Sequence, residues 1–277
     1  MVGRRFGYGR SLAAALGVWL AGMSGAFASE RYFTYTYEPE TMPQGAAEFE
    51  QWVSLGAGRS AAAGQDGYNT WKFREELEYG VTDNYTAALY LNLQSENFEH
   101  PTTKDNTSTF EFEGISFENR LMLLNPAEHP VGLTLYLEPR YSGEEAELEE
   151  KLIVGQRMGD WKWALNLTHA SEWADHLHEL EGEAEVTFGL ARELGKHWTV
   201  GLEFRNHNGL PEYQKWASSA FFLGPTVTYR QERWWVALTV LPQIYGKNRH
   251  GDPDGHASLV LDEHERVNAR LVVGVSF

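Results

Sequence analysis

The sequence predicts an all-β protein: a single transmembrane, antiparallel up-and-down β-barrel of about twelve strands. Three observations lead to this prediction. Runs of about ten residues with alternating hydrophobicity recur from Glu48 to the C-terminus. The connections between these runs alternate between short and long, and the last run ends on an aromatic residue. The negative mean hydropathy of −0.45 is compatible with this fold, because a barrel strand is polar at every second residue.

The first 28 residues have the order of a cleaved secretory signal. Arg4, Arg5 and Arg10 precede the apolar run 12–21, and Ala26-Phe27-Ala28 offers a small-residue cleavage site. The apolar run is short for a membrane-spanning helix, and no other stretch approaches the required length. We therefore predict that residues 1–28 are removed and that the mature chain is exported across the inner membrane.

Composition excludes several classes of function. The signal holds three basic and no acidic residues, which leaves 20 basic against 39 acidic residues, a net charge near −19. This charge argues against nucleic acid and anionic lipid surfaces as partners. Cysteine is absent, so disulfides and thiolate chemistry are excluded, and no nucleotide-binding loop pattern occurs. The sequence predicts no cofactor.

Residues 29–45 precede the first regular run. This stretch is aromatic and then contains Pro39 and Pro43, which makes it a poor central strand. A short strand, a periplasmic tail and a segment inside the lumen all remain open. We treat residues 29–45 as an N-terminal periplasmic or lumenal segment and residues 46–277 as the barrel.

Twelve alternating runs follow in order. The fourth changes parity near Gly114, which indicates a β-bulge. The sixth, around Glu144–Leu152, also fits an acidic helix, but a strand keeps the count even. The apolar parity of the runs lies within Phe49–Leu55, Trp71–Tyr79, Tyr85–Leu93, Phe110–Leu124, Val131–Leu137, Leu148–Val154, Trp161–Leu167, Ala184–Leu190, Trp198–Phe204, Phe221–Tyr229, Trp234–Val240 and Val267–Phe277.

Five short connections alternate with six mostly longer ones, as twelve strands require. Outer-membrane barrels have short periplasmic turns and longer extracellular loops. Aromatic residues such as Trp161, Trp198 and Trp234 lie beside the short turns, and Trp71 and Trp173 lie near the long loops. Because aromatic rings favour the headgroup level of a membrane, two such girdles favour a membrane barrel over a soluble β-protein.

The final run resembles the closing strand of bacterial outer-membrane barrels. Leu271, Val273, Val275 and Phe277 share the apolar parity, and a terminal Phe on this parity is that group's assembly signal. The stretches Pro43–Glu50 and Glu76–Asp83 further resemble barrels of the phenol meta-pathway and general outer-membrane transporter type. Arg31–Pro43 is similar to the start of an uncharacterised relative. These resemblances imply the fold and an outer-membrane location, and they assign no residue to chemistry.

The inward parity carries many charges, which either pair across strands or line a water path. Side chains fill the interior of eight-stranded barrels, whereas sixteen-stranded barrels hold an open channel. A twelve-stranded barrel lies between them, so the sequence is compatible with either a narrow pore or a closed interior. The excess of acidic residues favours cations over anions as the solutes. The predicted lumen-lining residues are Glu48, Glu50, Lys72, Arg74, Glu76, Glu78, Glu138, Glu203, Arg205, Arg230, Arg266 and Arg270.

An enzymatic alternative rests on one motif. Outer-membrane lipid hydrolases carry a His-x-Ser pair that faces lipid, and His169 and Ser171 have this spacing on the apolar parity. Glu183 on the next strand is the candidate third member. However, Glu183 falls on the inward parity, and the residues around the pair do not match the longer motif of those enzymes.

Histidines concentrate in the long connections, and His207 and His264 are among those at this side of the barrel. His176 and His178, and His250 and His256, are weak candidates for a metal site, since imidazole and carboxylate ligands recur around them. A site needs three or four converging ligands, which loops do not guarantee. Surface decoration is the favoured interpretation.

We therefore predict a narrow porin-like channel or transporter for small solutes in the outer membrane. A lipid hydrolase and a non-conducting structural or adhesion barrel are the alternatives. The expected partners are outer-membrane lipids and lipopolysaccharide, the barrel assembly machinery and the solutes themselves.

Overall fold

A computed structural model of the chain describes residues 31–60, 66–100, 103, 105–174, 176–213, 216–249 and 258–277. The predicted signal peptide, residues 1–28, lies outside the described residues. The strands are β1 (Ala47–Ala57), β2 (Asp66–Thr82), β3 (Tyr85–Glu99), β4 (Asn106–Leu124), β5 (Gly132–Tyr141), β6 (Ala146–Met158), β7 (Trp161–Ala174), β8 (Glu179–Leu194), β9 (Trp198–Leu210), β10 (Ser218–Arg230), β11 (Trp234–Asn248) and β12 (Val267–Ser276).

These twelve strands form one closed antiparallel barrel, as the sequence predicts. Each strand pairs with its neighbours in the chain, and β12 closes against β1 with Trp52 opposite Val272. Closure leaves no free sheet edge, which a membrane-spanning sheet requires. Pro211–Tyr213 forms a short 3-10 turn. No helix within the described residues is long and apolar enough to cross a membrane.

The barrel is apolar outside and charged inside. On β2, Leu77 is 51% exposed, whereas its neighbours Glu76 and Glu78 are 0% exposed. Leu89 and Leu202 on other strands are exposed to a similar degree. Side chains alternate between the two faces of a strand, so the period-two pattern becomes a hydrophobic exterior around a polar lumen. Such an exterior fits lipid as its surroundings.

The connections define two ends of the barrel. The five short ones, at 83–84, 125–131, 159–160, 195–197 and 231–233, form what we call the turn end. The six others, at 58–65, 100–105, 142–145, 175–178, 211–217 and 249–266, form the loop end. Trp161, Trp198 and Trp234 are exposed at the turn end, in agreement with the predicted girdle.

The two irregular runs of the sequence are both strands. Gly114 has a φ of +110°, and the β3–β4 register shifts opposite it, between Asn92 and Leu93. A Cβ at Gly114 would lie 2.5 Å from the carbonyl oxygen of Tyr141, so the bulge requires glycine. The sixth run is a strand rather than a helix, since Leu152 of β6 pairs with Leu167 of β7.

Candidate functional site

Residues 31–46, which we call the plug segment, lie inside the barrel. The nine consecutive residues Arg31–Pro39 are all buried. The segment returns to the turn end, where the hydroxyl of Thr41 donates to the carbonyl of Asp83 and the N–H of Gly45 donates to the carbonyl of Gly80. β1 starts directly after it. The structure therefore places the N-terminal segment in the lumen, toward the turn end.

Glu203 on β9 is the main anchor of the plug segment. Its carboxylate accepts hydrogen bonds from the backbone N–H groups of Thr34, Tyr35 and Thr36 at 3.0, 2.9 and 2.8 Å. The hydroxyl of Thr239 donates to the same carboxylate. Three successive amides around one buried carboxylate form an anion-binding concavity, and such charge-assisted bonds are about twice as strong as neutral ones.

Neutral side chains of the wall bind the rest of the segment's backbone. The amide of Asn166 accepts from the N–H of Tyr37 at 2.6 Å and donates to its carbonyl at 2.9 Å. Thr86 accepts from the N–H of Met42 at 2.8 Å. Buried backbone groups need partners, and a segment without secondary structure takes them from side chains. Sequence reasoning missed Asn166 and Thr86, because neither residue is charged.

Aromatic rings and a guanidinium fill the space between plug segment and wall. The Arg31 guanidinium lies 4.2 Å from the ring centroid of Tyr37 and 4.4 Å from that of Trp52. It also forms an ion pair of 3.3 Å with Glu50. The rings of Tyr37 and Tyr136 meet edge to face at 5.3 Å. A desolvated cation beside two rings is favourable, and Arg31, Tyr37, Trp52 and Tyr136 are all buried, so the plug segment, β1 and β5 pack into one layer here.

Acidic residues of the predicted lumen set cluster beside this layer. Glu48, Glu50 and Glu78 bring carboxylate oxygens within 4.8 Å of one another. Protein donors already hold them: Trp235 and Ser276 bind Glu48, Arg31 and Trp52 bind Glu50, and Arg120 pairs with Glu78. The fourth member, Glu76, accepts from Trp52 at 3.0 Å. Their predicted role in lining a solute path stays a prediction.

Five of the other predicted lumen residues also have partners on the wall or the plug segment. Arg74 pairs with Glu138, and Arg205 pairs with Glu185 at 2.5 Å. Arg230 lies 3.6 Å from Glu193 at the turn end. Arg270 donates to Ser54 at 2.8 Å and to the carbonyl of Thr34 at 3.0 Å. Arg266 is exposed and lies one residue before β12, whereas Lys72 lines the cavity described next.

A cavity of about 610 Å³ occupies the lumen toward the loop end, and we call it the vestibule. Its acidic side chains outnumber its basic ones by seven to three, so it attracts cations. Arg140 lies among four strands and pairs with Glu147 at 2.5 Å, Glu113 at 3.4 Å and Glu172 at 3.5 Å. The charged lining residues are Arg59, Lys72, Glu113, Arg140, Glu147, Glu172, Glu181, Glu183, Asp262 and Glu263.

The last connection folds into the barrel beside the vestibule. Val260 and Leu261 are buried, and the N–H of Ser60 donates to the carbonyl of Leu261 at 2.6 Å. Glu265 pairs with Arg59 at 2.7 Å. These contacts hold the preceding residue, His264, against the inner wall.

His264 and His207 form a pair on this wall. Their Nδ1 atoms are 3.3 Å apart, and the rings meet at 79° with centroids 5.1 Å apart. His207 Nε2 binds the Glu183 carboxylate at 2.8 Å, and His264 Nε2 binds the hydroxyl of Ser218 at 2.9 Å. Burial, followed by the nearby His207 and Arg205, lowers the pKa of His264 to about 3, so its ring is neutral at neutral pH.

The structure does not assemble the candidate catalytic triad. His169 and Ser171 face the barrel exterior, where the hydroxyl of Tyr213 lies 2.9 Å from His169 Nε2 and also bonds to Ser171. Glu183 pairs in register with Ala170, faces the lumen and binds His207. The triad of His169, Ser171 and Glu183 is therefore wrong in its third member. Glu183 lies on the same face as its partner Ala170, whereas His169 and Ser171, on either side of Ala170, point to the opposite face.

The candidate metal-ligating histidines do not converge in the described part of the chain. His176 and His178 lie in the connection after β7, and the three metal-ligating side chains that converge within the described residues are instead Glu48, Glu50 and Glu78 of β1 and β2. His250 and His256 lie outside the described residues. Their role as ligands stays a prediction.

Residues 25–152 and 161–277 match DUF6662, described as a family of unknown function. The chain belongs to the DUF6662 family. No curated protein matches it significantly. Among solved structures, this DUF6662 chain is similar to an outer membrane channel from Pseudomonas putida F1, with a TM-score of 0.59, 12% identity, and coverage of 88% of this chain and 100% of that one. It is also similar to the NanC porin, with a TM-score of 0.50, 8% identity, and coverage of 83% and 98%. At these identities the likeness shows the fold, that of a porin-like barrel.

Proposed function

We propose that this barrel resides in the outer membrane of a Gram-negative cell and is a narrow channel for small solutes, preferentially cations, that the plug segment gates. The apolar exterior and the likeness to outer-membrane barrels support the location. The sequence resemblance to phenol meta-pathway and general outer-membrane transporter barrels supports transport as the class of function. Its finer assignment to the phenol meta-pathway type stays a prediction.

The vestibule is the observation that carries this proposal. It is an acid-rich cavity within the lumen. The next inward-facing residue along β2 already lies beside the layer that the plug segment forms with Trp52. Lys72 lines the vestibule, whereas Arg74, two residues away on the same face, lies 5.7 Å from the ring of Trp52. A solute that enters from the loop end therefore meets the charged vestibule first and the plug segment second.

The plug segment suits a gate better than a wall. Before Gly45 and Ala46, which bond to the backbone of Gly80, it has no strand pairing with the barrel, and side chains hold its backbone through individual hydrogen bonds. Each such bond contributes a net ~1 kcal/mol, or about 1.5–3 kcal/mol when one partner is charged. Segments held by a few polar contacts open at lower free energy than paired strands do. In this proposal catalysis has no part.

Conductance in planar lipid bilayers tests the proposal. The wild-type protein should give stepwise conductance of small amplitude, with a reversal potential in a KCl gradient that indicates preference for K⁺. Deletion of residues 31–40 should raise the amplitude, since it empties the closed layer. Heat-modifiable migration in gel electrophoresis reports whether the deletion variant is folded.

A barrel that conducts neither in wild-type form nor after a folded deletion contradicts the channel and favours the structural or adhesion alternative. The same preparations can be incubated with phospholipid vesicles. Release of fatty acid that disappears in His169→Ala would instead favour the hydrolase alternative.

A further inference from the structure

We propose that His207 and His264 bind a transition-metal cation such as Zn²⁺ beside the vestibule, behind its lining residue Glu183. Two imidazole nitrogens on one tetrahedral zinc lie about 3.3 Å apart, since Zn–N bonds are about 2.0–2.1 Å long. The Nδ1 atoms of the two histidines are 3.3 Å apart. The pair therefore already has the spacing of two ligands on one ion.

The outer partners of the two rings favour metal-binding tautomers. The Glu183 carboxylate can only accept a hydrogen bond, so His207 carries its proton on Nε2 and directs the Nδ1 lone pair at His264. A carboxylate behind the imidazole is the arrangement that orients metal-ligating histidines in proteins and raises their basicity.

Ser218 allows His264 to take either tautomer. Without an ion, Nδ1 of His264 donates to His207 and Nε2 accepts from the Ser218 hydroxyl. With an ion, the proton moves to Nε2 and is donated to the same hydroxyl, because a hydroxyl is both donor and acceptor. The exchange keeps the contact with Ser218, and a rotation of the two rings then directs both Nδ1 lone pairs at one ion.

The vestibule concentrates cations beside this pair, against the opposing charges of Arg205 and Arg59 near His264. Glu183, Asp262 and Glu263 line the vestibule beside the histidines, and a negative cavity raises the local concentration of cations. Two protein ligands with water at the remaining positions differ from structural zinc sites, which use four protein ligands. This composition suits an ion that is taken up and released.

The site was not evident from the sequence, because its members lie on three separate elements. His207 is on β9, His264 is in the last connection, and Glu183 is on β8. The sequence placed both histidines at the loop side, and only the inward fold of residues 258–266 brings them together.

Zn²⁺ binding to the full-length barrel in detergent tests this proposal independently of conduction. After chelator treatment, calorimetric titration should show a site that is lost in His207→Gln and in His264→Gln. His197→Gln is the matched control, since His197 Nδ1 binds the carbonyl of Arg230 at the turn end. Glu183→Gln keeps both imidazoles and should weaken binding about 10- to 100-fold.

Spectroscopy of the wild-type protein removes the dependence on variants that fail to fold. Cu²⁺ bound at one equivalent should show hyperfine coupling to two imidazole nitrogens in electron paramagnetic resonance. The absence of a Zn²⁺ site, or a site that survives unchanged in both folded histidine variants, overturns the proposal. Loss of the site in His197→Gln would overturn it as well.

Discussion

At the scale of single residues, Glu203 shows how a buried carboxylate can be satisfied without a cation. Three backbone amides of the plug segment and the hydroxyl of Thr239 surround it. Burying an unpaired charge is costly, so each side of this contact requires the other. The alternation of β9 predicts that Glu203 faces the lumen, but its partners in the plug segment lie 167 to 169 residues away and have no sequence signature.

Replacement of Glu203 by Gln should loosen the plug segment. The amide keeps the shape but loses the charge, and hydrogen bonds to charged groups contribute about 1.5–3 kcal/mol. Hydrogen exchange of the amides at Thr34, Tyr35 and Thr36 should accelerate about 10- to 150-fold. Glu147→Gln removes an acid of the lumen wall outside the plug contacts and should leave these rates unchanged. Equal rates in wild type and Glu203→Gln would show that other contacts hold the segment.

At the scale of elements, the strands and the plug segment differ in what determines them. The strands follow from period-two alternation, including the bulged one at Gly114, whereas the strand around Leu152 is predicted from the even strand count. The plug segment has no period. Its position depends on groups such as Asn166, 129 residues away. Composition therefore argues against a central strand but does not decide between a periplasmic tail and a lumenal segment. The His207–His264 pair escaped sequence reasoning for the same reason.

Docking of the plug segment should weaken as pH rises, because of Glu38. Burial raises the pKa of this carboxyl to about 7, although Lys162 and Arg31 lower it. The docked state thus holds a proton that the solvated carboxyl, with a pKa near 4.3, releases. Docking is strongest below the solvated pKa, near 4.3, and weakens as pH rises through about 7. Exchange protection of residues 31–40, corrected for intrinsic rates, should fall at least about tenfold between pH 5 and pH 8.

Glu38→Gln provides the control, since an amide neither gains nor loses a proton in this range. Its corrected protection should change much less between pH 5 and pH 8 than that of the wild type. A wild-type profile that is equally flat, or that rises with pH, would contradict the assignment to Glu38.

At the scale of the whole molecule, the charge distribution along the barrel axis should set ion selectivity. The acidic excess is in the vestibule at the loop end, where ions enter first. Glu113→Gln with Glu181→Gln reduces this excess from four to two, so the reversal potential in a KCl gradient should move toward zero. Because long-range attraction is screened by salt, the change should be larger at 0.1 M than at 1 M.

A matched double variant distinguishes vestibule charge from total charge. Glu128 and Glu232 lie on short connections at the turn end, and their replacement by Gln changes the net charge by the same amount. The reversal potential should then stay near the wild-type value. An equal shift in both double variants would mean that the vestibule does not select.

The position of the plug segment also bears on how the two ends of the chain stay joined. The barrel closes where β1, the first strand, pairs with β12, the last strand. Arg31 pairs with Glu50 of β1, and Arg270 of β12 donates both to Ser54 of β1 and to Thr34. The buried residues 31–39 therefore bridge β1 and β12 from inside the lumen. A barrel that lost them would have more free space in the lumen and a weaker junction between its first and last strands.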